Sequence, residues 1–233
     1  MSDARPIGVF DSGMGGLTVL RALRQKLPHE NLLYLGDTAR LPYGTKSSAT
    51  VTAYSLQATA LLAARGMKML VVACNTASAV ALGARAEALA PTPVIGVVLP
   101  GAAAACAASE GHIAVIATEG TVRGGAYVRA IHAINPGLRV SQVACSLFVT
   151  LAEEGWIDGP VLAQAVHRYL DPLFSGAAGA PDTLLLGCTH FPVLAPALGA
   201  LLGPNVRLGD SAATTAEAVA TLLPARGLAN TAQ

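Results

Sequence analysis

Short, continuously apolar runs alternate with longer stretches of helical periodicity from end to end of the chain. The first four runs are "PIGVF" (6–10), "NLLYL" (31–35), "KMLVVA" (68–73) and "PVIGVV" (93–98). Four more follow: "HIAVIA" (112–117), "LRVSQVA" (138–144), "DTLLLG" (182–187) and "NVRLG" (205–209). Each has strand length and is mostly apolar at consecutive positions, which predicts strands buried on both faces. The intervening stretches, such as 47–65, 75–89, 122–134 and 160–170, are long enough for crossover helices. The segment "VVLPGAAAACAA" reads as the end of a strand, a turn at Pro100-Gly101 and then a helix. This alternation predicts an α/β protein with doubly wound parallel sheet covered on both sides.

Eight strands could form one sheet, a barrel or two four-stranded sheets. A length of 233 residues is near the lower limit for a (β/α)₈ barrel, and the helices are unevenly spaced. A weak internal symmetry favours two sheets. "LVVACNTAS" and "LLLGCTHFP" both run from an apolar strand through a small residue to a cysteine, a polar pair and a helix-like stretch. The expectation is two pseudo-symmetric lobes with the active site in the cleft between them, divided near Leu99–Ala102. Residues 1–98 with 212–233 would form the first lobe, carrying Cys74. Residues 99–211 would form the second, carrying Cys188, and the last helix (about 212–226) would pack back on the first lobe.

Composition narrows the functional classes. Hydrophobic residues make up 53% and charged residues 12%, which excludes bulk disorder. The net charge of +1, from 15 basic and 14 acidic residues without blocks, argues against nucleic acid or an anionic membrane surface as partner. "MSDARPIGVFDSG" lacks the apolar core of a secretory signal, and no stretch approaches the length of a membrane span, so a soluble cytoplasmic protein is expected. Cys74, Cys106, Cys145 and Cys188 are widely separated, with no CxxC pair. That spacing argues against a zinc or thioredoxin-like motif, and no metal is expected. In the cytoplasm such cysteines act, if at all, as free thiols.

Ligands of open α/β sheets bind beyond the carboxyl ends of the strands. The polar groups there are Asp11-Ser12, Gly36-Asp37-Thr38, Cys74-Asn75-Thr76, Thr118 with Thr121, Cys145-Ser146 and Cys188-Thr189-His190. "FDSGMGGL" permits close backbone approach and offers a helix start, but it matches neither GxGxxG nor GxxxxGK[ST]. Its Asp11 or Ser12 reads either as a helix cap or, for Asp11, as an acid–base partner. In "GDTARLPYGTKS", Tyr43-Gly44 offers a hydroxyl and approachable N–H groups to a carboxylate.

Cys106, in an Ala-rich helix, and Cys145 read as small buried hydrophobes. Cys74 and Cys188 each end an apolar strand and precede a helix start, whose dipole is expected to favour the thiolate. Two thiols facing each other across a cleft can take a proton from one face of a carbon and return one to the other. His190 reads either as a helix-start hydrogen-bonding residue or as the partner that tunes Cys188. Glu153-Glu154 reads as a solvated helix end, or as a carboxylate that raises the basicity of His190. A Cys-His hydrolase also fits that half of the site but gives the second cysteine no role. Of the lysines Lys26, Lys46 and Lys68, none is placed to carry a pyridoxal Schiff base, in agreement with a reaction that needs no cofactor.

Taken together these motifs resemble those of the glutamate racemase family, in the aspartate/glutamate racemase superfamily. "IGVFDSGMGGLTVL", "YLGDTARLPYGTKS", "VVACNTASA", "IATEGT", "LFVTLAEEGW", "LLLGCTHFPVL" and "RLGDSA" occur in the family's order over nearly the whole chain. The resemblance implies two α/β lobes and cofactor-independent interconversion of L- and D-glutamate for peptidoglycan. It implies that Cys74 deprotonates D-glutamate and Cys188 L-glutamate, assisted by Asp11 and by His190 with Glu153. Asp11-Ser12, Tyr43-Gly44, Asn75-Thr76 and Thr189-His190 match the substrate-binding pairs, with Thr118 and Thr121 as further contacts. A homodimer is the common assembly. Aspartate racemase carries similar cysteines but generally Cys-Thr-Glu at the second motif, so His190 favours glutamate. A different amino-acid racemase, or a protein that binds an acidic amino acid without chemistry, are the competing readings. Ser146 and Thr150 stand where the family often has proline, Gly124-Gly125 near a common serine position, and the chain is somewhat short.

Overall fold

The computed structural model describes residues 2–174 and 179–231. The first half runs β1 (Ile7–Asp11), α1 (Leu17–Lys26), β2 (Leu32–Gly36), α2 (Ser48–Ala63), β3 (Met69–Val72), α3 (Asn75–Leu89) and β4 (Val94–Gly96). Next come α4 (Val98–Ala108), β5 (His112–Ala117), α5 (Glu119–Gly124), α6 (Ala126–Ile134), β6 (Arg139–Ala144), α7 (Leu147–Glu153) and α8 (Gly159–Phe174). The chain closes with β7 (Thr183–Gly187), α9 (Ala195–Leu202), β8 (Arg207–Asp210) and α10 (Ser211–Ala225).

Among the described residues two four-stranded parallel sheets result, ordered β2-β1-β3-β4 and β6-β5-β7-β8. Each takes four successive strands in the same permutation, which is the pseudo-symmetry anticipated from the two cysteine motifs. The central strands β1, β3, β5 and β7 are buried at every residue, whereas the edge strands β2 and β6 have no fully buried residue. Burial on both faces explains why the central strands read as unbroken apolar runs.

Helices cover both faces of each sheet. Val19 and Leu23 of α1 and Ala212, Ala216, Val219 and Leu223 of α10 share one core with Ile7, Val9, Met69 and Val71. The chain's last helix thus packs on the first sheet. The opposite face joins Phe10, Leu70 and Val72 to Val51, Ala58 and Leu62 of α2 and Ala77 of α3. The second sheet packs α7, α8 and α9 on one side and α4 with α6 on the other.

Several local expectations are corrected. No turn forms at Pro100-Gly101: β4 ends at Gly96, and α4 begins at Val98 and runs through Pro100. A proline in the first turn of a helix loses no internal hydrogen bond. The stretch 122–134 is not one helix, because Gly125 (φ +60°) ends α5 and opens α6. That left-handed backbone is open to glycine at little cost. Strand β8 begins two residues later than the expected 205–209 and runs one residue past it, over Arg207–Asp210. Among the described residues no helix is long and apolar enough to cross a membrane.

Candidate active site

Asp11 closes β1, Cys74 follows β3, Thr118 follows β5 and Cys188 follows β7. These are the carboxyl ends of all four central strands, and contacts between the lobes bring them together. Thr18 donates its hydroxyl to the Thr189 carbonyl at 3.3 Å. Thr76 of the first lobe meets Thr118 at 3.0 Å and Thr121 at 3.1 Å, and those two lie 3.1 Å apart. The Tyr127 hydroxyl donates to Asn75 Oδ1 at 2.5 Å. Glycines allow this approach: a Cβ on Gly15 would stand 2.5 Å from Thr189 Oγ1, and one on Gly44 would stand 2.6 Å from Thr118 Cβ.

Cys74 is the N-cap of α3. Its Sγ accepts the Ala77 N–H at 3.4 Å and donates to Ser12 Oγ at 3.4 Å. The expected dominance of the helix dipole does not hold. Burial, joined by the Asp11 charge, pushes the thiol above its ordinary value, while Ser12, the Ala77 N–H and Arg85 act in the other direction. Desolvation of a buried thiolate outweighs the few dipoles at a helix start. Asp11 is fully buried. Its Oδ2 accepts the N–H groups of Gly13 and Gly16, both at 3.0 Å, so it braces the entry to α1. Its Oδ1 has no partner among the described residues, and burial holds the carboxyl above its usual range.

Cys188 stands 3.7 Å from His190 Nδ1, and His190 Nε2 stands 3.0 Å from Glu153 Oε1. With Glu153 accepting from Nε2–H, Nδ1 is left as an acceptor facing the thiol. Burial pushes Cys188 up to about 12, opposed by the His190 backbone N–H and reinforced by the charges of Cys74, Asp11 and Glu153. A charge on Cys74 disfavours ionisation of Cys188. Such a site favours one thiolate over two.

The other predicted site residues surround this pair. Ser12 binds Cys74, while Thr189, Asn75 and Thr76 are buried. Asn75 Nδ2 is buried without a partner among the described residues, a donor available to a substrate oxygen. Tyr43 is placed differently from expectation. Its hydroxyl donates to Asp37 Oδ2 at 2.5 Å and its ring packs near Phe10, so only the backbone of Tyr43-Gly44 is offered to the site. Glu154 lies exposed at the end of α7. Cys145 is buried in the second lobe's core, and Cys106 lies half-buried in α4. Lys68 is far from the chemistry, paired with Glu30 before the amino end of β3.

The Asp/Glu/Hydantoin racemase family model matches residues 14–219. The glutamate racemase of Geobacter metallireducens is 51% identical over 220 residues, covering 94% of this chain and 80% of that protein. This chain belongs to the glutamate racemase family. The enzyme of Neisseria meningitidis serogroup A is 50% identical, over 97% of this chain and 83% of its own length. The Francisella tularensis glutamate racemase, solved in complex with D-glutamate, superposes with a TM-score of 0.93 at 37% identity, over 99% of this chain and 85% of that one. The Escherichia coli enzyme, solved with L-glutamate and the activator UDP-MurNAc-Ala, gives 0.80 at 35% identity, over 94% and 83%. An aspartate racemase from Picrophilus torridus, 16% identical with a TM-score of 0.65, shares the fold.

In this racemase fold two cavities flank Leu41 and Glu153. One, of about 450 Å³, is lined by Gly44, Thr118, Ser146, Thr150 and Glu153 among others. The second, of about 480 Å³, is lined by Met14, Gly15, Thr18, Thr189 and His190 among others. Ser146 and Thr150, the departures from the family pattern, therefore form part of the wall beside Glu153. Thr118 on one wall and Thr189 with His190 on the other bring these cavities to the strand ends that carry the thiols, which are themselves 4% and 6% exposed. Sequence reasoning missed Tyr127, which holds Asn75, and Arg85, which is buried behind Cys74. Arg85 falls on the helical spacing of Ala77 and Ala81, a buried stripe where a charge signals a special role.

Proposed function

We propose that this chain interconverts L- and D-glutamate without a cofactor, with Cys74 and Cys188 as its two acid–base groups. The observation that carries the reading is the pair of buried thiols at equivalent strand ends, one bonded to Ser12 at the start of the β1 loop and the other 3.7 Å from His190 Nδ1. The relatives solved with D-glutamate and with L-glutamate support both directions of the reaction. In one direction the Cys74 thiolate takes the α-proton of D-glutamate, and the Cys188 thiol donates its proton to the opposite face of the carbanion. The reverse direction exchanges the roles. Asp11 assists Cys74, and His190, oriented by Glu153, assists Cys188.

Ser12, Asn75, Thr76, Thr118, Thr121, Thr189 and the backbone of Tyr43-Gly44 hold the substrate, with Asn75 Nδ2 donating to a carboxylate. The lobes comprise residues 1–98 with 212–233, and 99–211; the packing of α10 on the first sheet supports that division. The product supplies D-glutamate for peptidoglycan. The enzyme works in the cytoplasm as a homodimer, and its near-neutral charge supports a small molecule as partner, not nucleic acid or membrane.

Polarimetry on purified protein with each enantiomer, and no added cofactor, tests the activity, with aspartate as the competing substrate. In deuterated water, the first product formed carries deuterium at Cα while the remaining substrate stays protiated, because the donating thiol has exchanged with solvent. Equal labelling of both enantiomers at early times contradicts two opposed bases. Cys74→Ser and Cys188→Ser each lose at least about 10³-fold in kcat, since a hydroxyl is a far weaker acid than a thiol. Circular dichroism is expected to show both variants folded.

A further inference from the structure

We propose that Arg85 is the buried counter-cation of the Cys74 thiolate, a positioning residue that lets Cys74 carry charge without touching substrate. The inference rests on the assignment of Cys74 as a base. Arg85 is 0% exposed and is among the largest fully buried side chains in the protein. None of the described ion pairs includes it. Its Nε and Nη2 have no hydrogen-bond partner among the described residues, and Nη1 reaches only the Ala77 carbonyl at 3.3 Å. A buried cation without a carboxylate is expensive, so an anion is expected within its reach during the working cycle.

Cys74 is the candidate anion, one residue of α3 away from the guanidinium's single hydrogen bond. Ala77, whose carbonyl accepts from Arg85, also donates its N–H to Cys74 Sγ. The guanidinium carbon lies 4.7 Å from the centroid of the Phe10 ring, one residue before Asp11. This stacking holds the cation against the end of β1. Asp11 faces Cys74 from β1 and disfavours its thiolate, Ser12 hydrogen-bonds it, and Arg85 favours it from α3. The hydroxyls of Tyr34 on β2 and Tyr43 feel the Cys74 charge, as does Cys188 across the cleft. From its own side Arg85 feels Cys74 and Tyr43, and burial lowers it to about 10, which leaves it cationic at neutral pH. Each thiol therefore has its own nitrogen base or cation: His190 beside Cys188, Arg85 behind Cys74.

The test reads the thiol directly. In a Cys106→Ala, Cys145→Ala, Cys188→Ala chain, Cys74 is the sole thiol, and its ionisation is followed by thiolate ultraviolet absorbance. Arg85→Gln is expected to raise the midpoint by about one pH unit, a tenfold loss of thiolate, and Arg85→Lys to restore most of it. In the four-cysteine enzyme Arg85→Gln lowers kcat about tenfold near neutral pH and moves the acid limb upward, with KM little changed. Because the enantiomers are isoenergetic, kcat/KM falls equally in both directions. An unchanged Cys74 midpoint in folded Arg85→Gln, or an equal loss in Arg85→Lys, overturns the proposal. Should Arg85→Gln not fold, the Arg85 Nε resonance of the unsubstituted chain serves. It is expected to shift at the Cys74 midpoint, and a flat response overturns the proposal. Absence of racemisation by the wild-type chain would instead sink the functional reading and leave the thiol titration standing.

Discussion

In the proposed mechanism His190 assists Cys188 through Nδ1, which requires the proton on Nε2, where Glu153 Oε1 stands 3.0 Å away to accept its hydrogen bond. A glutamine at 153 can present its amide N–H to Nε2, which reverses the tautomer and removes the acceptor facing the thiol. Glu153→Gln is therefore expected to lower kcat/KM about tenfold, in keeping with the exposure of Glu153, with KM nearly unchanged. The resting thiols set the pH dependence. Burial raises Cys74 and pushes Cys188 up to about 12, so both are protonated in the resting site at neutral pH. The proposed two-thiol mechanism needs one of them ionised, so kcat/KM is expected to climb as pH rises from 6 toward 9. A pH–rate profile checks this, and an acid limb that is flat over that range contradicts it. Arg85 escaped notice because its one signal, the four-residue spacing from Ala77 and Ala81, is faint in a helix where alanine occupies nearly every face.

At the scale of elements, the strands were legible because double-sided burial makes their sequences continuously apolar. The end of each central strand was legible too, since Asp11, Cys74, Thr118 and Cys188 are the first polar or reactive groups after an apolar run. Helix interruptions were not. Pro100 and Gly125 belong to residue types that both break helices and sit harmlessly at their starts, and only packing decides which. Tyr43 misled for a related reason: its hydroxyl was visible, but the competing Asp37 is six positions earlier in the same loop. The approach of the two lobes depends on glycines whose neighbours lie in the other half of the chain, which local periodicity does not encode. Gly15 is the sharpest case, with Thr189 Oγ1 2.5 Å and the His190 ring 2.8 Å from where a Cβ would be. Gly15→Ala is expected to displace Thr189 and His190 and to cost at least about tenfold in kcat/KM. Its unfolding free energy is expected to change by less than about 1 kcal/mol, because neither lobe's core is touched. Kinetics set beside a denaturant melt separate the two effects.

Across the whole molecule, the site occupies the carboxyl ends of the strands and a polar clamp occupies the far side of the first sheet. Lys68 Nζ pairs with Glu30 Oε2 at 2.5 Å and donates to the Asp3 carbonyl at 2.6 Å. Glu30 Oε1 accepts the Asn230 N–H at 2.7 Å, and the Asp3 N–H reaches the Ala229 carbonyl at 3.2 Å. Asp3 and the Ala229-Asn230 segment are thereby tied to the segments that lead into β2 and β3, and α10 is held on the first core. The Lys68 and Glu30 side chains are 0% and 5% exposed, so removing one leaves a buried, unpaired charge. Lys68→Met is expected to lower the unfolding free energy by about 3–5 kcal/mol, and adding Glu30→Leu to recover most of that loss. Chemical denaturation of the two variants measures both numbers, and a single-variant loss under about 1 kcal/mol would show that the clamp is not holding the termini. The clamp and the thiols lie at opposite ends of β1 and β3, so kcat/KM per folded molecule is expected to stay within about twofold of the unsubstituted enzyme.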